Sequence, residues 1–133
     1  MPQILKEEIK NRIYKAASKI FYEKGFLKTK MKDISEEAKI PVGLVYTYYK
    51  NKEELFDEIV NPIYYYLNLA IEKEEKEEGS ALERFKATGE EYVLKLLNQH
   101  KSLVILMDKS QGTKHENAKQ VFIKILENHI KRQ

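Results

Sequence analysis

Apolar side chains recur at intervals of three and four along the chain, which predicts an all-α protein. The first helix is expected over residues 4–24, with Gly25 after it as a left-handed cap. This helix supports the two short helices that follow. Its inward stripe is wide and comprises Ile9, Ile13, Ala16, Ala17, Ile20 and Phe21.

Two short helices joined by a tight turn are predicted between Thr29 and Lys52. Ile40 and Pro41 separate them, because a residue that precedes proline is driven out of the α region. Pro41 itself is acceptable at a first helical position, where its missing N–H is not needed. The second short helix is expected over residues 42–49. The inward stripe of the first short helix comprises Met31, Ile34, Ser35 and Ala38.

The outer face of the second short helix has no acidic side chain. At 100° per residue, an inward Val45 places Tyr49 and Pro41 inward as well, flanked by Val42 and Tyr48. A helix fits the major groove of DNA, and such a face can approach base edges closely. The alternative that geometry leaves open is a plain helical hairpin with a mixed surface. The outer face comprises Gly43, Tyr46, Thr47 and Lys50, and the lysines that flank it, where phosphates would lie, are Lys30, Lys32, Lys50 and Lys52.

Four further segments follow at helical spacing. A long helix is expected from Lys52 to about Glu78, and Ser80 with Glu83 forms a capping box that begins another helix. A short apolar helix at 102–110 and a last helix at 116–131 complete the chain. The expected inward residues of the capped helix are Leu82, Phe85, Gly89, Tyr92, Val93, Leu96 and Leu97. Those of the last helix are Ala118, Val121, Phe122, Ile125, Leu126 and His129.

Charge is distributed unevenly along the 133 residues. Residues 1–52 hold 12 Lys or Arg against 6 Asp or Glu, whereas residues 53–133 hold 12 against 15. The positive half contains the two short helices, which suits a polyanionic partner. There is no cysteine, no long apolar run and no apolar signal core at the N-terminus. We therefore expect a cytoplasmic protein with no membrane partner.

Catalytic and metal chemistry has little support in the sequence. His100, His115 and His129 are spaced by 15 and 14, so no two lie on adjacent turns of one helix. Phosphate-binding, dinucleotide-binding and serine-nucleophile motifs are absent from the sequence. We therefore expect no enzyme, no cofactor and no metal.

Many spaced residues between positions 9 and 60 resemble the DNA-binding domain of the TetR (tetracycline-repressor-like) family. They lie in three stretches, at 13–26, at 29–48 and at 52–56. The resemblance implies residues 1–51 as a three-helix helix-turn-helix domain. It implies residues 52–133 as a helical sensor and dimerisation domain that lacks the last two helices of the family. The residues that carry it are Ile13 to Ala17, Ile20 to Phe26, Thr29, Met31, Asp33, Ile34, Ala38, Gly43, Tyr46, Tyr48 and Lys52 to Phe56.

The resemblance also implies roles for individual residues. Gly43 would let the backbone approach the groove, Thr47 would meet a thymine methyl, and the tyrosine hydroxyls would contact phosphates. Two positions depart from the family: Lys39 stands where glycine is usual, and Pro41 where a capping serine is common. The expected DNA-binding residues are Lys30, Lys32, Val42, Gly43, Leu44, Tyr46, Thr47, Tyr48, Lys50 and Lys52.

The implied function is a transcriptional regulator, most often a repressor, that binds a palindromic operator as a homodimer. A hydrophobic or aromatic small-molecule effector would enter the helical domain and release the DNA. Two alternatives are a DNA-binding member controlled by a protein partner or by nothing, and a helical interaction module without DNA binding. The residues expected to line the effector pocket, with plain core packing as the alternative for each, are Tyr64, Tyr65, Tyr66, Phe85, Tyr92, Met107 and Phe122.

Overall fold

The computed structural model describes residues 3–131, except for the side chains at positions 3–5, 74, 81, 88, 129 and 130. The inward placement predicted for His129 therefore lies outside the described residues. Every element in the described part of the chain is helical, which confirms the predicted fold class. The α-helices are α1 (Gln3–Lys24), α2 (Met31–Ala38), α3 (Val42–Tyr48), α4 (Lys52–Lys76), α5 (Ala81–Arg84), α6 (Glu90–Asn98), α7 (His100–Asp108) and α8 (Ala118–Lys131), and a π-helical segment, Phe85–Gly89, joins α5 to α6.

Helices α1, α2 and α3 and the first turns of α4 share one apolar core. The stripes predicted for α1 and α2 are buried, as is Val45 of α3. The same core continues along α4 and into α7 and α8, so residues 1–51 and 52–133 are not separated by a break in packing. The division of the chain at Lys52 stays a prediction. Members of this core from the second half are Leu55, Phe56, Ile59, Val60, Ile63, Ile105, Leu106 and Ala118.

The turn between α2 and α3 differs from the sequence expectation at Pro41. Pro41 is the N-cap of α3, in an extended conformation with φ −62° and ψ 144°, and is not its first helical residue. Its side chain is exposed, so the prediction that it faces inward was wrong. At the other end α3 stops at Tyr48, because Tyr49 is extended and serves as the C-cap. The ring of Tyr49 is nevertheless buried, as predicted.

Lys39 accepts the backbone conformation that glycine usually takes at this turn. It has φ 60° and ψ 45°, which is left-handed, and it ends α2. Its own N–H donates to the carbonyl of Glu36 at 3.2 Å, and the next N–H, of Ile40, donates to Ser35 at 3.1 Å. Arg12 of α1 supplies two further bonds, from Nη2 to the carbonyls of Ala38 at 2.6 Å and Lys39 at 3.2 Å. The turn is thus well bonded although its residue is unfavourable.

Sequence periodicity correctly located the capped helix but assigned several of its side chains wrongly. The Ser80 hydroxyl accepts the N–H of Glu83 at 3.2 Å, which confirms the N-cap. The helical run then passes through the π segment, where the Phe85 ring lies over Gly89. Leu82, Phe85, Val93 and Leu97 are exposed although they were predicted to face inward, and so are Val121 and Leu126 of α8. Within residues 3–131, no helix combines the length and apolar character needed to cross a bilayer.

Replacing Lys39 by glycine is expected to raise the free energy of unfolding by about 0.5–1 kcal/mol. The left-handed conformation costs a non-glycine residue about 1–2 kcal/mol, and the greater freedom of glycine in the unfolded chain offsets part of the gain. Urea unfolding followed by circular dichroism measures the difference. Lys39→Ala is the matched control, because it removes the same side chain and keeps the strain. Equal stabilisation by the alanine variant would contradict the explanation.

Candidate nucleic-acid interface

Helix α3 presents the predicted outer face to solvent. Val45 is fully buried beneath the helix, whereas Gly43, Thr47 and Lys50 are exposed and Tyr46 keeps 51% of its surface accessible. Val42 is also exposed, and Leu44 and Tyr48 are half-buried at the edges of the face. The seven residues of α3 include no acid. This short helix therefore offers a surface on which a polyanion meets no like charge.

Gly43 has no packing role inside the chain. A Cβ built at this position would meet no heavy atom within 4 Å. Glycine in a helix costs roughly 0.5–1 kcal/mol relative to alanine. A Cβ would fit at position 43, so the packing of the chain does not explain this loss of stability. The hydroxyl of Thr47 donates to the carbonyl of Gly43 at 3.1 Å, one turn back. That bond occupies the hydroxyl and leaves the methyl group of Thr47 for apolar contact.

The flanking lysines divide into exposed and internal ones. Lys30 and Lys32 are exposed at the start of α2, and Lys50 is exposed after α3. Lys52 is different: its ammonium donates to the carbonyls of Phe26 at 2.8 Å and Thr29 at 2.9 Å. It also lies 4.1 Å from the centre of the Phe26 ring, and burial lowers the pKa of this ammonium. The ammonium of Lys52 thus has internal partners, and the phosphate contact predicted for Lys52 stays a prediction.

Two ion pairs join α2 to α1, and a bond within α2 caps its first turn. The carboxylate of Asp33 accepts the N–H of Lys30 at 2.9 Å and pairs with Lys24 at 3.4 Å. The bond from Lys30 is the main reason why the pKa of Asp33 is lowered. Lys19 of α1 pairs with Glu37 of α2 at 3.2 Å. Together with Arg12, these contacts hold the helix-turn-helix in one orientation on its support.

The seven residues predicted to line an effector pocket differ in burial and in contacts, and their grouping into one pocket stays a prediction. Tyr64 is half-buried and its ring centre lies 5.4 Å from that of Phe122. Tyr92 is buried elsewhere, and Lys95 lies over its ring at 5.2 Å and over the ring of Tyr66 at 5.8 Å. Met107 is half-buried against the core. Tyr65 and Phe85 are exposed.

Sequence reasoning missed a polar chain that starts at Tyr64. The Tyr64 hydroxyl and Nδ1 of His115 are 2.8 Å apart, and Nε2 of His115 is 2.7 Å from Oδ1 of Asp57. His115 is buried, and Lys114 pairs with the other oxygen of Asp57 at 3.3 Å. These bonds fasten the turn before α8 to the N-terminal half of α4. No local spacing signals them, because His115 and Asp57 are 58 positions apart.

The turn between α7 and α8 (residues 109–117), which we call the 109–117 turn, also contacts the loop between α1 and α2 directly. The carbonyl of Lys109 accepts the N–H of Phe26 at 3.0 Å. Gly112 lies so close to Leu27 that an added Cβ would overlap a methyl group of Leu27. The Ser110 hydroxyl donates to the carbonyl of His115, and the Thr113 hydroxyl donates to the carbonyl of Ser110, which holds the shape of the turn. The 109–117 turn therefore joins α4, through His115, to the loop that follows α1.

The fold and the exposed face of α3 are those of a helix-turn-helix protein. Residues 13–59 match the family described as bacterial regulatory proteins, tetR family. The HTH-type transcriptional regulator YhgD of Bacillus subtilis is 46% identical over 50 residues, which are 38% of this chain and 26% of that protein. HbdR of Aromatoleum is 39% identical over 51 residues, 38% of this chain and 22% of that protein.

Solved structures extend the similarity beyond residues 13–59. Native NalD, the secondary repressor of the MexAB-OprM multidrug efflux pump in Pseudomonas aeruginosa, superposes with a TM-score of 0.60 at 27% identity. The superposition covers 92% of this chain and 64% of NalD, so the chain spans less than two thirds of that relative. MexZ, a repressor from the same organism, superposes with a TM-score of 0.60 at 23% identity, over 95% of this chain and 63% of MexZ. At this identity the similarity supports the fold alone.

His115→Ala is expected to speed hydrogen exchange at the Phe26 amide about tenfold, because two hydrogen bonds worth about 1 kcal/mol each no longer fasten the 109–117 turn. Exchange followed by NMR at single residues measures this. His100→Ala is the matched control, because His100 is exposed and makes only a local contact to Leu97. An unchanged Phe26 rate in the His115 variant would mean that Lys109 is positioned by other contacts.

Proposed function

We propose that this chain is a DNA-binding transcriptional repressor that reads an operator through α3. The observation that carries the proposal is the acid-free outer face of α3, with Gly43 exposed and unneeded by the chain's own packing. A duplex whose backbone or base edges approach Gly43 closely would explain why a larger residue is absent. The family of residues 13–59 and the repressors with the same fold support this reading.

Readout would depend on apolar contact, phosphate contacts and DNA shape. The outer face has no arginine, asparagine or glutamine, so the bidentate readers of guanine and adenine are missing. Thr47 would contact a thymine methyl group, with Val42 and Leu44 at the edges. Tyr46, Tyr48, Lys30, Lys32 and Lys50 would contact phosphates, which position the helix without reading sequence. Lys52 would contribute through the N-terminus of α4, whose backbone N–H groups favour a phosphate, and not through its ammonium.

We also propose that two copies bind a palindromic operator. Several large apolar side chains on α6 and α8 are exposed, and exposed apolar surface of this kind favours association with a partner. Two copies related by a twofold axis would place two α3 helices on half-sites about one helical turn, or a small multiple, apart. The residues concerned are Val93, Leu94 and Leu97 of α6, and Val121, Ile123 and Leu126 of α8.

Gly43→Ala is expected to stabilise the fold by about 0.5 kcal/mol and yet weaken DNA binding at least tenfold. The duplex is first selected from random DNA, and affinity is then measured by fluorescence anisotropy at several salt concentrations. Lys50→Gln should reduce the salt slope by about one unit, because one phosphate contact is lost. Stoichiometry in the same titrations should be two chains per palindromic duplex.

Lys124→Gln, a charge-matched change on α8, should leave DNA affinity unchanged. If Gly43→Ala binds as the native chain does, α3 is not the reading helix. If the native chain binds no duplex with a steep salt dependence, the exposed apolar face of α6 and α8 favours the second candidate, a protein-interaction module.

A hydrophobic or aromatic small molecule is proposed to release the DNA by binding beside α4. The ring of Tyr64 is shared between Phe122 and His115, with centres 5.4 and 5.3 Å away. A ligand that displaces the Tyr64 hydroxyl would disturb His115, then Asp57 and the 109–117 turn that contacts Phe26. The ligand must bind one arrangement more tightly than the other for release to follow. Tyr65, Tyr66, Phe85, Tyr92 and Met107 are proposed as further contacts of the ligand.

Compounds that raise the melting temperature identify candidate effectors, since a ligand specific for the folded state stabilises it. Such a compound should lower the DNA affinity of the native chain. The compound should still bind the His115→Ala variant, but its effect on DNA affinity should fall at least fivefold, because the polar chain is broken. The control variant His100→Ala should respond as the native chain does. Undiminished release in the His115 variant would exclude this route.

A further inference from the structure

A second concave surface lies on the DNA-binding half, away from Tyr64. It is an open groove of about 550 Å³ that runs over α1, between the C-terminal end of α2 and the start of α7. Ala16, Ala38 and the half-buried ring of Tyr14 contribute apolar surface to it. Five basic side chains and a single carboxylate line it, and they are Arg12, Lys15, Lys19, Lys39, Lys101 and Glu37.

The positive charge of this groove is largely uncompensated. Glu37 is already paired with Lys19 at 3.2 Å. Among the described residues, no carboxylate pairs with Lys15, Lys39 or Lys101; the ammonium of Lys101 lies 5.9 Å from the centre of the Tyr22 ring. Like charges that line one concavity raise each other's energy, and an anion placed among them relieves that repulsion.

The backbone of Lys39 and the side chain of Arg12 favour a binding role for the cations of the groove over a merely solvated surface. Lys39 occupies a left-handed turn with backbone strain that glycine would avoid, so the chain keeps a cation at this edge despite the strain. Strain of this kind often marks a functional position. The guanidinium of Arg12 is fixed by two carbonyl bonds through Nη2 alone. A cation held in place in advance loses less entropy when it binds an anion.

We propose that this groove binds a small organic anion, in which an aromatic or aliphatic body carries a carboxylate, sulfonate or phosphate. The volume lies within the range of about 300–1,000 Å³ typical of small-molecule sites. The apolar surface suits the body of the ligand, and the cations suit its charged group. Arg12 lies on α1, Lys39 lies in the α2–α3 turn and Lys101 lies on α7. A bound anion would therefore join the helix-turn-helix to α7. The site is separate from the Tyr64 side of α4 and does not depend on DNA binding.

The test is an NMR titration of the native chain with 2-naphthoate in buffer of physiological ionic strength. Saturable shifts are expected at the amides of residues 14–19, at Lys39 and at Lys101. Neutral 2-naphthalenemethanol should bind at least fivefold more weakly. The double variant Lys39→Gly, Lys101→Gln should weaken 2-naphthoate about tenfold, because each exposed cation contributes a few-fold. Lys39→Gly is expected to stabilise the fold, so the loss would not arise from unfolding.

The charge-matched control is Lys6→Gln, Lys28→Gln, two exposed lysines outside the groove, which should bind 2-naphthoate as the native chain does. Shifts centred on α6 and α8, or equal binding of the neutral alcohol, would overturn the proposal. So would an unchanged affinity in the groove variant. If inorganic pyrophosphate shifts the same amides with the same affinity, the apolar body contributes nothing and the proposed ligand class is wrong.

Discussion

Three phenylalanine rings join the parts of this protein that its proposed function must coordinate. Phe21 of α1, Phe26 of the following loop and Phe56 of α4 lie with ring centres 5.1 to 6.0 Å apart, and Phe56 meets both others edge-on. Edge-to-face pairs of this kind add roughly 0.5–1.5 kcal/mol each beyond the area they bury. The orientation of the helix-turn-helix on α4 therefore depends on this cluster, and any signal that moves α4 must act on it.

The cluster is also where the 109–117 turn reaches the helix-turn-helix. The ring of His115 lies 6.0 Å from Phe56, and the backbone of Phe26 is bonded to Lys109. Lys52 also holds the loop between α1 and α2, since its ammonium donates to two carbonyls of that loop and lies over the Phe26 ring. Lys52 is partly buried, and its ammonium organises the loop. Lys30, Lys32 and Lys50 are exposed, so burial distinguishes Lys52 from the lysines that could meet a polyanion.

The sequence was sufficient for the helices and for the faces that α1, α2 and α3 bury or expose, because these depend on local spacing. Every predicted helix is present, the stripes of α1 and α2 are buried, and the outer face of α3 is exposed. Contacts between distant positions were out of reach. Arg12 bonds the end of α2 from 26 positions away, and His115 reaches Asp57 across 58. Pro41 was treated as a possible first helical residue of α3, but it is the N-cap. For a proline these two positions differ only in ψ, which the composition of the sequence does not encode.

The inward assignments for α6 and α8 show a second limit of periodicity. A repeat of three and four records which side of a helix is apolar, but it does not say what covers that side. In one copy of the chain, Val93, Leu97, Val121 and Leu126 are exposed. Burying a leucine or valine side chain is worth about 1.5–3 kcal/mol, so these residues favour association. If two copies share this face about a twofold axis, each residue is used twice, and the same contact fixes the distance between the two α3 helices. Association and operator spacing would then have one physical origin, in side chains far from the DNA.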